Sequence, residues 1–152
     1  MLKIDDPMHL TESHPVLALV QNCSDLVDPI NYARLINMPG NKKHLLQVQG
    51  GLDPYTPRRT AENLAIALRL PALFYPNVTT GYVHEGAPIA NLQPVGLPIG
   101  SLIDAGDGEL ATGAYALFPT ADHFPVFHQN LPKILYKSLF SSMASGNAPV
   151  IE

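Results

Sequence analysis

Two residues of this sequence, Asp53 and His123, have the types and positions that acid–base chemistry needs. Asp53 follows an apolar run that ends in Gly50-Gly51, and His123 lies in a loop after a second apolar run. A carboxylate beside an imidazole accepts the ring N–H, fixes the tautomer and stabilises the cation that forms when the other nitrogen takes a proton. Acid before histidine is the chain order found where a nucleophile precedes both. The pair therefore predicts two members of a Ser-His-Asp triad.

Each residue also has an ordinary interpretation. Asp53 precedes Pro54, and Asp-Pro commonly starts a turn in which the carboxylate bonds its own downstream backbone. His123 could be a half-buried histidine bonded to a backbone carbonyl. Two other acids compete for the triad position: Asp107, in a Gly-Asp-Gly sequence typical of hairpins, and Asp122, which is poorly placed to reach its own sequence neighbour. Asp53 is the acid that we favour.

The other histidines and the single cysteine are weaker candidates for chemistry. His128 would lie near His123 if a helical turn starts there, and packing is its simpler role. His84 falls in a long loop, where it could contact a ligand but is more simply exposed. Exposure is also expected for His9, His14 and His44. Cys23 lies on the apolar face of a predicted helix, so we expect it to be a core residue.

The apolar patterns predict the elements that would position Asp53 and His123. Helices are expected at 15–27, 28–36, 56–69 and 131–143, and strands at 45–49, 72–75 and 112–118. Asp28 is a suitable N-cap for the second helix. The order strand, helix, strand is the unit of a parallel sheet. Parallel strands that end at the same sheet edge would bring Asp53 and His123 within reach of each other.

The number of strands limits what this sheet can be on its own. Residues 76–108 are rich in proline and glycine and predict a long loop, and residues 144–152 predict a flexible tail. About three strands do not make a stable parallel sheet, which needs strands on both sides and helices over both faces. The predicted fold class is α/β, in a single domain over residues 1–152 that forms the end of a larger, mostly parallel sheet.

Composition and charge exclude several classes of function. The 152 residues suffice for one domain, and 46% hydrophobic with 14% charged residues favours a large core and some apolar surface. Net charge is −4 and the nine Lys and Arg are scattered, so we predict no nucleic-acid partner. The apolar runs are too short for a transmembrane segment. Neither metal-binding motifs nor a phosphate-binding glycine loop occur, and we predict no metal and no cofactor.

Four stretches carry a resemblance to a known family: Asp28-Pro-Ile-Asn-Tyr-Ala-Arg34, Leu45-Leu-Gln-Val-Gln-Gly-Gly-Leu-Asp53, Thr56-Pro57 and Asp122-His123-Phe124. From about residue 28 to 140, about three-quarters of the chain, the sequence resembles the C-terminal part of an α/β-hydrolase. Bacterial lipase- and esterase-like members are the most similar. The resemblance implies that Asp53 is the triad acid and His123 the triad histidine.

The resemblance further implies a carboxylic ester hydrolase that acts on a small-molecule ester or lipid. Two departures qualify it. First, Asp53 and His123 are 70 positions apart, which implies that 76–108 is an insertion. Second, no Gly-x-Ser-x-Gly nucleophile motif occurs; Ser101 follows Gly100, but the rest of the motif is absent. We therefore expect the serine and the oxyanion-hole donors upstream of residue 1, in the N-terminal remainder of the hydrolase domain. This chain alone should be inactive.

Three further expectations complete this interpretation. The apolar residues of the long loop would wall an acyl pocket; they are Ile89, Leu92, Val95, Leu97 and Ile99. The first residues show no signal peptide, while the resemblance to bacterial lipases implies secretion or a periplasmic location, so the sequence leaves location undecided. The alternative function is a non-catalytic α/β-hydrolase-like domain that binds a protein through the surface the missing half would cover.

Overall fold

The structure, a computed structural model, describes residues 15–36, 38–41, 43–73, 92, 94–104 and 108–152. The helices are α1 (Pro15–Asp25), α2 (Pro29–Ile36), α3 (Arg58–Ala67), α4 (Pro125–His128) and α5 (Asn130–Ala144). The strands are β1 (Leu45–Gly50), β2 (Ala72–Leu73), β3 (Pro94–Val95), β4 (Ile103–Asp104), β5 (Leu110–Ala111) and β6 (Gly113–Phe118). The fold is mixed α/β, with a small parallel sheet and flanking helices, as the sequence patterns predict.

The parallel sheet has the strand order β1-β6-β2-β3. β1 and β6 pair along their whole length, from Leu45 opposite Gly113 to Gly50 opposite Phe118. The chain therefore leaves both strands at the same edge of the sheet. In open α/β sheets, this carboxyl edge is where functional groups collect.

β6 is covered on both faces. Ala116 and Phe118 belong to a core on one face that includes Leu135 and Leu139 of α5. Tyr115 belongs to a second core, on the other face, that is completed by α2 and α3. Because successive strand residues point to opposite faces, both kinds of position must be apolar in such a strand. The nearly uninterrupted apolar run at 113–118 meets this requirement.

β1 has a strand neighbour on one side only among the described residues. Its first four residues are half-buried, whereas Gln49 and Gly50 are buried. The free side of a six-residue strand leaves backbone N–H and C=O groups open to another strand. That the sheet is the end of a larger one stays a prediction, and β1 offers the edge at which it would continue.

α1 and α2 form where the sequence predicts them, but α1 adds nothing to the core. Asp28 caps α2, since its Oδ1 accepts the N–H of Ile30 at 3.0 Å. No residue of α1 is buried, and Leu19 is 63% exposed. The prediction that Cys23 is a core residue is wrong, because Cys23 is exposed. Helical periodicity indicates an apolar face without indicating what covers it.

Residues 76–108 do not form one continuous loop. β3 adds a strand to the parallel sheet, and β4 pairs with β5 in a separate antiparallel ladder. Residues 74–91, 93 and 105–107 lie outside the described part, Ile89 of the predicted pocket wall among them. Ile99 is buried in the first core, Val95 and Leu97 pack against it, and Leu92 packs against the second. Ile99 is fully buried, so the pocket-wall prediction is wrong for it, whereas for the half-buried Leu92, Val95 and Leu97 it stays a prediction.

The end of the chain is anchored. Ile151 is fully buried, and its N–H and C=O exchange hydrogen bonds of 2.9 Å with Ile99. Thr112 Oγ1 also donates to the carbonyl of Pro149 at 2.6 Å. The predicted flexible tail is therefore wrong for these last residues, because one buried side chain and several backbone bonds tie them to the sheet.

Candidate active site

Asp53 is the third residue after β1, and the turn that follows holds its carboxylate. Oδ1 accepts the N–H of Tyr55 at 2.8 Å and the N–H of Thr56 at 3.0 Å. Burial of the side chain, which is 5% exposed, would raise its pKa. The hydrogen bonds from Thr56, His123 and Tyr55 outweigh this effect and lower the pKa of Asp53 to about 2. Asp53 is therefore ionised at any physiological pH.

The second carboxylate oxygen of Asp53 contacts His123. Oδ2 lies 2.7 Å from Nδ1 of the imidazole. An ionised carboxylate can only accept, so Nδ1 carries the proton of this hydrogen bond. In the neutral ring the lone pair then resides on Nε2, which has no hydrogen-bond partner among the described residues. The turn and the imidazole thus use different oxygens. The ordinary interpretation of Asp53 as a turn residue is confirmed, and its role as a triad acid stays a prediction.

Two glycines allow the loops after β1 and β6 to touch. A Cβ on Gly50 would lie 1.7 Å from the backbone oxygen of Asp122, and one on Gly51 would lie 2.5 Å from that of Pro119. No side chain fits at such distances, so glycine is required at both positions for close backbone approach.

Backbone hydrogen bonds join the same two loops. The N–H of Gly51 donates to the carbonyl of Phe118 at 2.8 Å, and the N–H of Leu52 donates to the carbonyl of Ala121 at 2.9 Å. These bonds continue the pairing of β1 with β6 for two residues beyond the sheet. The candidate acid and base are thereby mounted on backbones that are fixed to each other.

Aromatic rings flank the imidazole of His123. The ring of Tyr55 lies 5.1 Å away at 73°, and the ring of Phe124 lies 4.6 Å away at 77°. Both are edge-to-face arrangements, which aromatic rings prefer to a face-to-face stack. Tyr55 is 76% exposed and Phe124 47% exposed, so this rim of the site is open to other groups.

The competing acid Asp122 pairs with a different histidine. Its Oδ1 accepts the N–H of Phe124 at 2.9 Å, and its Oδ2 lies 3.1 Å from Nδ1 of His128. The bond from Phe124 lowers the pKa of Asp122 against the opposing effect of burial, and His128 lowers it further. The sequence pattern does not predict this pair. It indicates only that His128 would lie near His123 if a helical turn starts there, and α4 provides that turn.

Of the remaining histidine and acid candidates, the structure describes only His44. His44 is half-buried rather than exposed as predicted, because its Nδ1 accepts the N–H of Thr112 at 3.0 Å at the start of β1. The other residues lie outside the described part of the chain; they are His9, His14, His84 and Asp107.

The described residues hold no third member for the pair. Ser101 is exposed in the segment between β3 and β4, and no described hydroxyl bonds to His123. No group of three or more His, Cys, Asp or Glu within the described ranges could hold a metal ion. Of the helices in those ranges, none has the length and apolar character to cross a membrane.

Comparison with known proteins identifies no family for this chain. The chain matches no protein-family model, and no match was found among curated proteins or among solved structures. A functional proposal for this chain therefore rests mainly on the chemistry of its candidate site.

Proposed function

We propose that this chain is the C-terminal segment of a serine hydrolase for carboxylic esters, of the lipase or esterase type. In this proposal Asp53 and His123 are the acid and the base of the catalytic triad. The observation that carries it is the 2.7 Å contact between Asp53 Oδ2 and His123 Nδ1, beyond the carboxyl ends of two paired parallel strands. A general base needs a free second ring nitrogen, and Nε2 has no partner among the described residues.

In the proposed reaction, Nε2 of His123 takes the proton of a serine hydroxyl as the serine oxygen attacks the ester carbonyl carbon. Asp53 holds Nδ1–H and stabilises the imidazolium that results. The imidazolium then gives its proton to the departing alcohol oxygen, which leaves an acyl-enzyme. A water molecule attacks the acyl-enzyme in the same manner, and the carboxylic acid is released with the serine restored.

The serine and the oxyanion-hole donors would come from an N-terminal remainder of the same domain. The free side of β1 supports this proposal, because a parallel strand could pair there. So does the exposed apolar surface of α1 and the residues after it, where Leu19, Val20, Leu26 and Val27 are each more than half exposed. Surfaces of this kind are normally covered by another part of a protein.

The substrate class follows from the rim of the site and from the resemblance. Exposed aromatic and aliphatic side chains surround the pair. Tyr55 and Phe124 flank the imidazole, Phe127 packs against Phe124, and Leu52 precedes Asp53 in the chain. Such a rim favours an apolar acyl or alkyl group, as in a small-molecule ester or a lipid. The choice of an ester over other acyl compounds rests on the resemblance to lipases and esterases.

An alkyl fluorophosphonate, which phosphonylates an activated serine, tests the proposal in the full-length protein. Mass spectrometry of peptides should locate one labelled serine upstream of residue 1, and the variant His123→Ala should lose the label. The variant Glu152→Gln, an exposed residue at the chain end, is the control and should label normally. An unlabelled wild-type protein, or labelling that survives His123→Ala, would contradict the proposal.

The second candidate function is a non-catalytic domain that binds a protein partner. α1 favours it, because a helix with no buried residue presents its apolar side chains to solvent. This candidate predicts a full-length protein that does not react with the fluorophosphonate and that retains a partner through α1. Binding should then be lost in Leu19→Asp and kept in His123→Ala.

A further inference from the structure

Asp122 connects the loop that carries His123 to the short helix α4. Its Oδ1 accepts the N–H of Phe124 and so spans His123 in the chain, at 2.9 Å. Its Oδ2 lies 3.1 Å from Nδ1 of His128, the last residue of α4. A turn closed by one carboxylate oxygen is common in loops. Here the other oxygen contacts a helix, so one carboxylate joins the turn around His123 to α4.

The backbone of Asp122 is fixed from the opposite side. Its carbonyl lies against Gly50, so close that a Cβ there would come within 1.7 Å of the oxygen. The preceding residue, Ala121, accepts the N–H of Leu52 at 2.9 Å. Asp122 is therefore attached through its backbone to the loop of the acid and through its side chain to α4.

The ring of Phe124 packs against both imidazoles. Its ring centroid is 4.6 Å from that of His123 and 6.1 Å from that of His128. The N–H that Asp122 accepts belongs to this same residue. Releasing the carboxylate of Asp122 would thus loosen one of the rings that flank His123, together with the backbone on its C-terminal side.

We infer that Asp122 and His128 form a clamp that positions the imidazole of His123 against Asp53. Asp122 is a positioning residue in this inference, because it acts through the loop and needs no contact with a substrate. The effect of the clamp on turnover rests on the proposed function, whereas its effect on the ring does not. Small displacements of a catalytic group have large costs in rate, which is why such a clamp would matter.

The test uses the full-length protein with ¹⁵N-labelled histidine. It compares the NMR signal of the His123 Nδ1 proton with kcat and KM on p-nitrophenyl butyrate. Asp122→Ala removes both bonds, Asp122→Asn keeps an oxygen for the N–H of Phe124, and His128→Ala removes the tie to α4. We expect Asp122→Ala to broaden the Nδ1 signal through solvent exchange and to lower kcat on the order of tenfold to a hundredfold, with KM unchanged. In Asp122→Asn, the Nδ1 signal and kcat should both lie between those of Asp122→Ala and the wild type.

The outcomes separate the clamp from the proposed function. A wild-type Nδ1 signal and kcat in Asp122→Ala would overturn the clamp. If circular dichroism shows that Asp122→Ala is unfolded, His128→Ala decides instead, and an unchanged signal in that variant overturns the clamp. If the wild-type protein cleaves no ester but the signal still broadens in Asp122→Ala, the clamp stands and the proposed function fails. Glu152→Gln should leave the His123 Nδ1 signal and kcat unchanged.

Discussion

Gly50, the last residue of β1, lies against the peptide of Asp122, so that a Cβ at this position would come within 1.7 Å of the Asp122 carbonyl oxygen. Asp122 precedes His123, and Gly50 stands three residues before Asp53. The contact therefore sets how closely the two loops approach. The hydrogen bond between Asp53 and His123 depends on a residue that has no functional group of its own.

Gly50→Ala should separate the two loops. The added methyl group meets backbone atoms, which cannot rotate away as a side chain could, and we expect the free energy of unfolding to fall by about 2 kcal/mol or more. Thermal or urea unfolding measures this loss. Gly96→Ala is the matched control, because nothing lies within 4 Å of its added Cβ, and it should unfold like the wild type. Equal losses in the two variants would contradict the account of Gly50.

Asp53→Asn should change the tautomer of His123. The amide oxygen would keep the N–H groups of Tyr55 and Thr56, which places the amide NH₂ opposite Nδ1 of the imidazole. An NH₂ group donates, so Nδ1 becomes the acceptor and the ring proton moves to Nε2. The ¹⁵N chemical shifts of the two ring nitrogens report this exchange of roles. Wild-type shifts in the variant would show that Asp53 does not fix the tautomer.

Acid should weaken the folded state through Asp53. Its pKa is about 2 in the folded protein against an ordinary value of 3.8, so the unfolded chain binds the proton more readily. The stabilisation is present above pH 3.8 and is lost as the pH falls from 3.8 towards about 2. The difference in unfolding free energy between the wild type and Asp53→Asn should therefore shrink as the pH falls through this interval. A difference that does not change across the interval would refute the contribution of Asp53.

Ile151→Ala should destabilise the fold although it lies one residue from the chain end. Ile151 is fully buried in the core beneath the sheet, and shortening a buried isoleucine to alanine costs about 2–5 kcal/mol. Glu152→Ala removes only an exposed side chain and is the control. Chemical unfolding of both variants provides the comparison. An Ile151→Ala protein as stable as the control would mean that the end of the chain is not anchored.

The sequence predicts β1, β6, α3 and α5 because each has enough residues for an apolar period to be recognised. It also predicts the neighbourhood of Asp53 and His123, since each follows a strand of the same parallel pair. The two-residue strands β3, β4 and β5 carry no period at all. β3 is defined only by its pairing with β2, which lies far from it in the sequence. β4 and β5 pair with each other on either side of the Gly-Asp-Gly sequence, which is the one local signal for them.

The errors at the level of single residues have related causes. Cys23 lies on an apolar helix face, but the face has no cover in the described chain. Ile151 and His44 are held by contacts with distant residues, Ile99 and Thr112. The pair Asp122 and His128 depends on the direction in which a four-residue helix leaves a loop. The contacts of Ile151 and His44 are long-range relationships that composition and spacing do not determine, whereas Asp122 and His128 are close in the chain and depend on the geometry of the loop between them.

We propose that Asp53 acts through His123 on one nucleophile. Ester turnover by the full-length protein tests it in the variants Asp53→Ala, His123→Ala and the double variant, with Glu152→Gln as the control. Residues of a triad act as a unit, so His123→Ala alone should lower kcat by several powers of ten and adding Asp53→Ala should cost almost nothing more. If the two losses instead multiply, or if His123→Ala retains near-normal turnover, Asp53 and His123 do not form the proposed catalytic pair.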